Sequence, residues 1–222
     1  MQKTTLIGVL ITLLLTTSYS QESNCFRKAI FGNKAICLPE IDGYKECYSD
    51  DIVRKLADAT EVPTNMVLGF YLNNRTFDKK DSLGLIQFDD YFKIYGTKEI
   101  QNYNVDNDFL SQMESTLTQN FMKDNWERMS SDIEKLELNA EIGVPIFVEK
   151  NNYNKESFSI IMITKYKIDG MEPYTLAVAV SGYIKNNRMI WMAYYLDYKD
   201  SNTITTLKEK SNMILQRLVI AE

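Results

Sequence analysis

Residues 174–198 constrain the fold more than any other part of the chain. They read as two strands, 174–185 and 188–198, joined by Asn186-Asn187, and neither strand has a polar face. Leu176, Val178 and Val180 fall on one side of the first strand, Ala177 and Ala179 on the other. On the second strand Ile190, Met192, Tyr194 and Leu196 alternate with Met189, Trp191, Ala193 and Tyr195. An antiparallel pair with one wet side alternates apolar and polar residues. This pair does not, so both sides of its sheet must be covered. Asparagine tolerates positive φ, so Asn186-Asn187 suits a two-residue hairpin turn.

The covers are visible as helical stripes. Asp200 or Ser201 can cap a helix running to about Val219, with Ile204, Leu207, Ser211, Ile214, Leu215 and Leu218 facing inward. Val105, Phe109, Met113, Leu117 and Phe121 recur every four residues, and Trp126, Met129, Ile133 and Leu136 continue the stripe. That spacing predicts an amphipathic helix or a bent pair over 106–136. Further strands are expected at 65–72, 85–88, 91–97, 143–149 and 158–168, with turn material at 73–76. Ser49-Asp50-Asp51 opens another helix, with Ile52, Val53, Leu56 and Ala57 on one face and Pro63 beyond its end. The expected fold class is α+β, an antiparallel sheet with helices on both faces, in one domain over 35–222.

Two segments precede that domain. Met1-Gln2-Lys3, the apolar run from Leu6 to Leu15 and the small residues of Ser18-Tyr19-Ser20 read as a signal peptide over 1–20, cut after Ser20. The run is too short for a spanning helix, which needs about 20 apolar residues. Residues 21–34 are polar and mixed, and read as a flexible lead-in. The expected location is therefore periplasmic or secreted, where thiols pair. Cys25, Cys37 and Cys47 allow at most one internal bridge. Pro39 and Asp42-Gly43 are turn formers between the last two, so Cys37–Cys47 is the expected disulfide, with Cys25–Cys37 and Cys25–Cys47 left open. A bridge closing so short a loop contributes roughly 2–3 kcal/mol.

The chain contains no histidine. That removes Ser-His-Asp and Cys-His catalysis, histidine-ligated zinc and a histidine pH switch. No G-x-S-x-G, S-x-x-K, P-loop, G-x-G-x-x-G or C-x-x-C is present. Asp106-Asn107-Asp108 begins like a calcium loop, but its twelfth position is Leu117 rather than Glu. The acid pairs Asp50-Asp51, Asp89-Asp90 and Asp106/Asp108 lie at turns or helix starts, where capping accounts for them. No catalytic residue, cofactor or metal is implied. The net charge of −5 argues against nucleic acid. Asn74-Arg75-Thr76 is a glycosylation sequon, which would carry a role only in a host that glycosylates such sites.

The stretch A-V-S-G-Y-I-K-N-N-R-M-I-W-M-A-Y-Y, leading through an acidic turn into a C-terminal helix, resembles the end of the Mog1/PsbP-like α/β/α sandwiches. Leu38-Pro39 and the strand at 66–72 fit the same plan. The leader and Gln21 resemble those of secreted Bacteroidetes-type proteins. Eukaryotic members of the fold group bind a small GTPase or support the oxygen-evolving centre of photosystem II, and no binding residue of theirs maps onto this chain. The resemblance implies a fold more than a function; together with the leader, the absent catalytic motifs and the absent histidine it points to an exported, non-enzymatic binding or accessory domain, with a protein partner in the envelope or extracellular space. The candidate docking surface is aromatic: Tyr91, Tyr95, Tyr183 and Tyr195. The rival functions are a secreted carboxylate-dependent hydrolase acting on glycans, and a carrier of a small hydrophobic ligand.

Overall fold

The computed structural model describes residues 25–79, 88–125, 140–168 and 172–221. The leader, residues 21–24, most of the strand expected at 85–88 and the far half of the 106–136 stripe lie outside the described residues. The chain begins with a hairpin, β1 (Cys25–Phe31) and β2 (Lys34–Pro39), followed by β3 (Tyr44–Glu46) and α1 (Asp51–Ala59). Next come β4 (Asn65–Asn73), α2 (Asn74–Lys79), β5 (Asp90–Thr97), α3 (Asn107–Thr116) and α4 (Gln119–Asp124). The last part holds β6 (Ala140–Ile142), β7 (Ile146–Lys150), β8 (Ser157–Ile168), β9 (Tyr174–Lys185), β10 (Arg188–Asp197) and α5 (Ser201–Ile220). The main sheet runs β3-β4-β5-β10-β9-β8-β6, with β7 also on β8, and each pairing is antiparallel.

The apolar ribbon sits at the centre of that sheet and is covered on both sides, as its sequence requires. Ala177, Ala179, Ile190, Met192 and Tyr194 pack on one face with Leu207, Ile214, Leu215 and Leu218 of α5 and with Phe31, Ile36 and Leu38 of the β1–β2 hairpin. On the other face Phe158, Ile160, Met162, Met189 and Trp191 pack with Leu110 of α3 and Met122 of α4. Val53 and Ala57 of α1 cover Val67, Phe70 and Leu72 of β4. Trp191 and Leu176 are both buried. Asn186 and Asn187 have φ of 52° and 60°, the two successive positive values of a type I′ hairpin turn. Asp200 caps α5 with a reciprocal capping box through Thr203, which satisfies backbone donors that the first helical turn leaves open.

Three expectations change, and a fourth resolves between its two alternatives. Residues 25–34 are not a lead-in: they form β1 and a Gly32-Asn33 turn, because Ala29 and Phe31 face the core while Phe26 and Ile30 face out. The described part of the 106–136 stripe is the bent pair rather than one helix: α3 ends at Thr116 with Leu117 as its C-cap, and Thr118 caps α4 by accepting from the Phe121 N–H at 3.2 Å. Residues 74–79 are a short helix rather than a turn. The disulfide is Cys25–Cys37, not Cys37–Cys47, with Cα atoms 5.4 Å apart. The hairpin register brings the start of β1 beside the end of β2, while Cys47 is buried with its Sγ 3.2 Å from Phe70 O.

One end of the molecule is held by a buried arginine. Arg188 is 2% exposed, and among the described residues no carboxylate bonds to it. Its Nη1 donates to Tyr103 O (3.0 Å), Asn104 Oδ1 (2.6 Å) and Asn187 O (3.0 Å), and its Nη2 to Asn33 Oδ1 (2.6 Å). Three loops distant in sequence therefore share one guanidinium. The hairpin is also seated sterically, since a Cβ on Gly96 of β5 would fall on the Phe31 ring. Gly96→Ala is expected to lower stability by about 1–3 kcal/mol, the usual penalty for overpacking, read as a lower urea midpoint with unchanged slope. Non-reducing peptide mapping is expected to recover Cys25 linked to Cys37; a Cys37–Cys47 peptide would reverse that assignment.

Candidate functional site

Tyr91, Tyr95 and Tyr195 converge on the face that α1, α3 and α4 share. Tyr91 lies opposite Tyr195 across the β5–β10 ladder, and Trp191 lies opposite Tyr95. The Tyr91 and Tyr195 rings stack at 4.7 Å with an 8° interplanar angle. Tyr166 of β8 and Tyr174 of β9 project from the same face and stack at 5.5 Å. All five tyrosines are half-buried. Tyr183 does not join them. It is 1% exposed and lies in the core under α5, on the opposite face, because it is an odd step along β9 from Tyr174.

The tyrosines surround a buried ion pair that the sequence reading missed. Lys93 lies between Tyr91 and Tyr95 on β5 and is 9% exposed; Glu61, in the turn after α1, is 8% exposed. The Lys93 ammonium pairs with Glu61 Oε2. It also sits 5.5 Å from the Tyr95 ring centroid and 6.0 Å from that of Tyr195, within cation–π range. Glu61 Oε1 is fixed by the Asn65 amide at 2.8 Å and the Val62 N–H at 3.2 Å. The signal for Lys93 was weak. A lone lysine between aromatics on a strand reads as a solvated outward position.

Burial, joined by the charge of Glu61 and by neighbouring phenols, holds Tyr91 and Tyr95 well above the ordinary tyrosine value. Tyr166, Tyr174 and Tyr195 are raised as well, with burial again the main cause. The five hydroxyls therefore stay protonated through neutral and mildly alkaline pH. They can donate and accept hydrogen bonds, and their rings can stack, but none is a phenolate nucleophile or base. With Lys93 engaged by Glu61, the arrangement suits recognition better than bond-breaking.

The acid pairs have structural work. Asp50 accepts from Ile52 N and Val53 N, and Asp106 from Phe109 N, each as a helix cap. Asp89 accepts from the Thr76 hydroxyl at 3.3 Å. Asp90 takes the Tyr44 hydroxyl at 2.6 Å, the Tyr194 hydroxyl at 3.0 Å and the Lys210 ammonium at 2.7 Å. That network ties α5 to β5 on the other face. Among the described residues no cluster of three or more acidic or cysteine side chains could hold a metal ion. No helix among them is long and apolar enough to cross a membrane.

The architecture and this patch define an α+β protein: an antiparallel sheet layered between helices, with a tyrosine-ringed ion pair on one face. No protein-family model matches the chain. No curated protein matches it either. Among solved structures it is similar to the Ran-binding protein Mog1p of Saccharomyces cerevisiae, at 10% identity and a TM-score of 0.36, covering 88% of this chain and 93% of that one. A point mutant of Mog1 gives the same coverage and identity with a TM-score of 0.35.

Raised tyrosines give a signed pH dependence. Unfolded tyrosines ionise near pH 10, whereas the native ones resist, so their contribution is complete below that pH and is lost as pH rises above it. Tyr48, pushed up to about 12 by burial and its bond to Asp58, belongs to the same group. Absorbance at 295 nm is expected to show most tyrosines ionising late and together with loss of near-ultraviolet circular dichroism. Free ionisation near pH 10 without unfolding would contradict the described burial.

Proposed function

We propose that this chain is an exported, non-enzymatic accessory protein that binds a protein partner through the tyrosine-ringed face. The supporting observation is the buried Lys93–Glu61 pair against the Tyr95 and Tyr195 rings, with Tyr91, Tyr166 and Tyr174 half-buried on the same face. A buried ion pair is weak stabilisation, because apolar residues of equal volume often serve as well or better. Tyrosine is the residue type that adds contact area with a polar tip at low entropic cost, and it is enriched where proteins meet. The signal-like leader and the disulfide fit an oxidising compartment outside the cytoplasm. The carboxylates that a glycan hydrolase would need are engaged as caps and network anchors. The partner is read by neutral hydroxyls and rings, not by charge steering.

The test uses the full chain expressed in its native host with an affinity tag at the C-terminus. The exported protein is expected to begin at Gln21 by intact mass and to co-purify with a stoichiometric partner from the envelope or medium. Tyr195→Ala is expected to weaken that complex by about thirtyfold, the scale of an aromatic hot spot of ~2 kcal/mol. The double variant Lys93→Met/Glu61→Leu is expected to keep near-native stability and lose the partner, whereas Lys93→Met alone leaves a buried unpaired carboxylate and costs about 3–5 kcal/mol. Recovery of the wild-type chain as a lone monomer under mild conditions would overturn the reading.

A further inference from the structure

Arg188 orders a second surface, built from three loops at one end of the molecule. They are the Gly32-Asn33 turn, residues 101–104 after β5, and the Asn186-Asn187 turn. Asn33, Asn102, Tyr103, Asn104, Asn186 and Asn187 are all exposed, and Tyr103, at 65%, is the most solvent-open tyrosine among the described residues. The loops are locked together from beneath. Beyond the four Arg188 bonds, Val105 N donates to Asn187 O at 3.1 Å and Asn186 Nδ2 to Ala35 O at 2.7 Å. Gly32, at φ 58°, has no room for a Cβ, which would meet Gln101 O and Asn102 Oδ1.

The hydrogen-bonding capacity left on this surface is specific. Asn33 and Asn104 give their Oδ1 atoms to Arg188, so each leaves an Nδ2 donor unused among the described residues. Asn186 gives its Nδ2 to Ala35, which leaves its Oδ1 as an acceptor. The Asn187 amide is exposed beside them. One exposed aromatic ring among oriented, uncharged donors and acceptors fits a ligand with a C–H face and a fan of hydroxyls. We propose that this loop end is a saccharide-binding surface, with the Tyr103 ring under a neutral sugar and the carboxamides of Asn33, Asn104, Asn186 and Asn187 on its hydroxyls. A nucleic acid or anionic polymer would want exposed cations, and the guanidinium here is sealed beneath the loops. A protein interface of standard size wants an apolar centre, and this surface offers a single ring. Buried support under exposed contact residues is the arrangement that holds a site ready and lowers the entropic cost of binding. The surface is independent of the tyrosine-ringed face.

The probe is a printed array of neutral glycans (glucans, mannans, xylans and galactans), followed by titration calorimetry with the best oligosaccharide. The wild-type chain is expected to bind at least one neutral series, with little change between low and moderate salt. Tyr103→Ala is expected to weaken that binding by at least about tenfold, as loss of an aromatic contact does, and Tyr103→Trp to retain it. Asn104→Asp should also weaken it. Tyr103 and the Asn186 side chain are exposed, so Tyr103→Ala should leave the thermal midpoint unchanged, which separates lost binding from lost folding. Tyr195→Ala should leave glycan binding intact, which separates this surface from the one proposed for a protein partner. No binding across the neutral array overturns the proposal, as does binding that Tyr103→Ala leaves unaltered, or binding abolished by moderate salt.

Discussion

Every layer of this protein answers to one constraint: the β9–β10 ribbon offers no side that water can tolerate. Two-sided burial then dictates where the other elements lie. One face takes α5 and the N-terminal hairpin, the other takes α1, α3 and α4. Polar groups on the buried strands must find partners within the sheet, as Ser159 and Ser181 do by sharing a hydroxyl bond of 2.7 Å on neighbouring strands. The covers are also tethered by polar contacts: α5 by Lys210 on Asp90, and the hairpin by Arg188 on Asn33. Apolar burial supplies the driving force, and these contacts fix the register in which it is used.

What was legible in the sequence follows from how local each signal is. The ribbon, its Asn-Asn turn, the Asp200 cap and the inward stripe of α5 are all written within a few residues of where they act. The N-terminal hairpin was misread because its alternation mixes Phe26 and Ile30 outward with Arg27 and Lys28, so no clean apolar face appears over 21–34. The choice between one helix and a bent pair over 106–136 stayed open because a stripe with a period of four runs through Leu117 regardless. Ile52, expected on the buried face of α1, is exposed because that helix rests on Val53 and Ala57. The disulfide depended on the β1–β2 register, which the short loop between Cys37 and Cys47 does not reveal.

The candidate site shows the same divide. Tyr91, Tyr95 and Tyr195 could be named from composition and strand position, but their convergence needs the order β5-β10-β9-β8, which is a property of the whole sheet. Tyr183 illustrates the penalty of ignoring parity, since an odd step along β9 moves it into the core. Lys93 and Glu61 were invisible because a charged residue normally marks a wet position, and here each is buried by the other's presence. With its phenols kept protonated by burial, the face is a set of fixed hydrogen-bonding and stacking groups around a neutralised pair, chemistry suited to recognition.

The tie between the Gly32-Asn33 turn and Arg188 joins residues 155 positions apart. Synthesis delivers the two ends in sequence, so the hairpin emerges long before the strand pair that must receive it. Until then Phe31, Ile36 and Leu38 have β4 and β5 to rest on but lack the central ribbon and α5, and closing so large a loop delays the reward for ordering it. The cover over the first-made element is therefore completed only by the last-made ones, and an apolar side left partly open in that interval is open to misassociation.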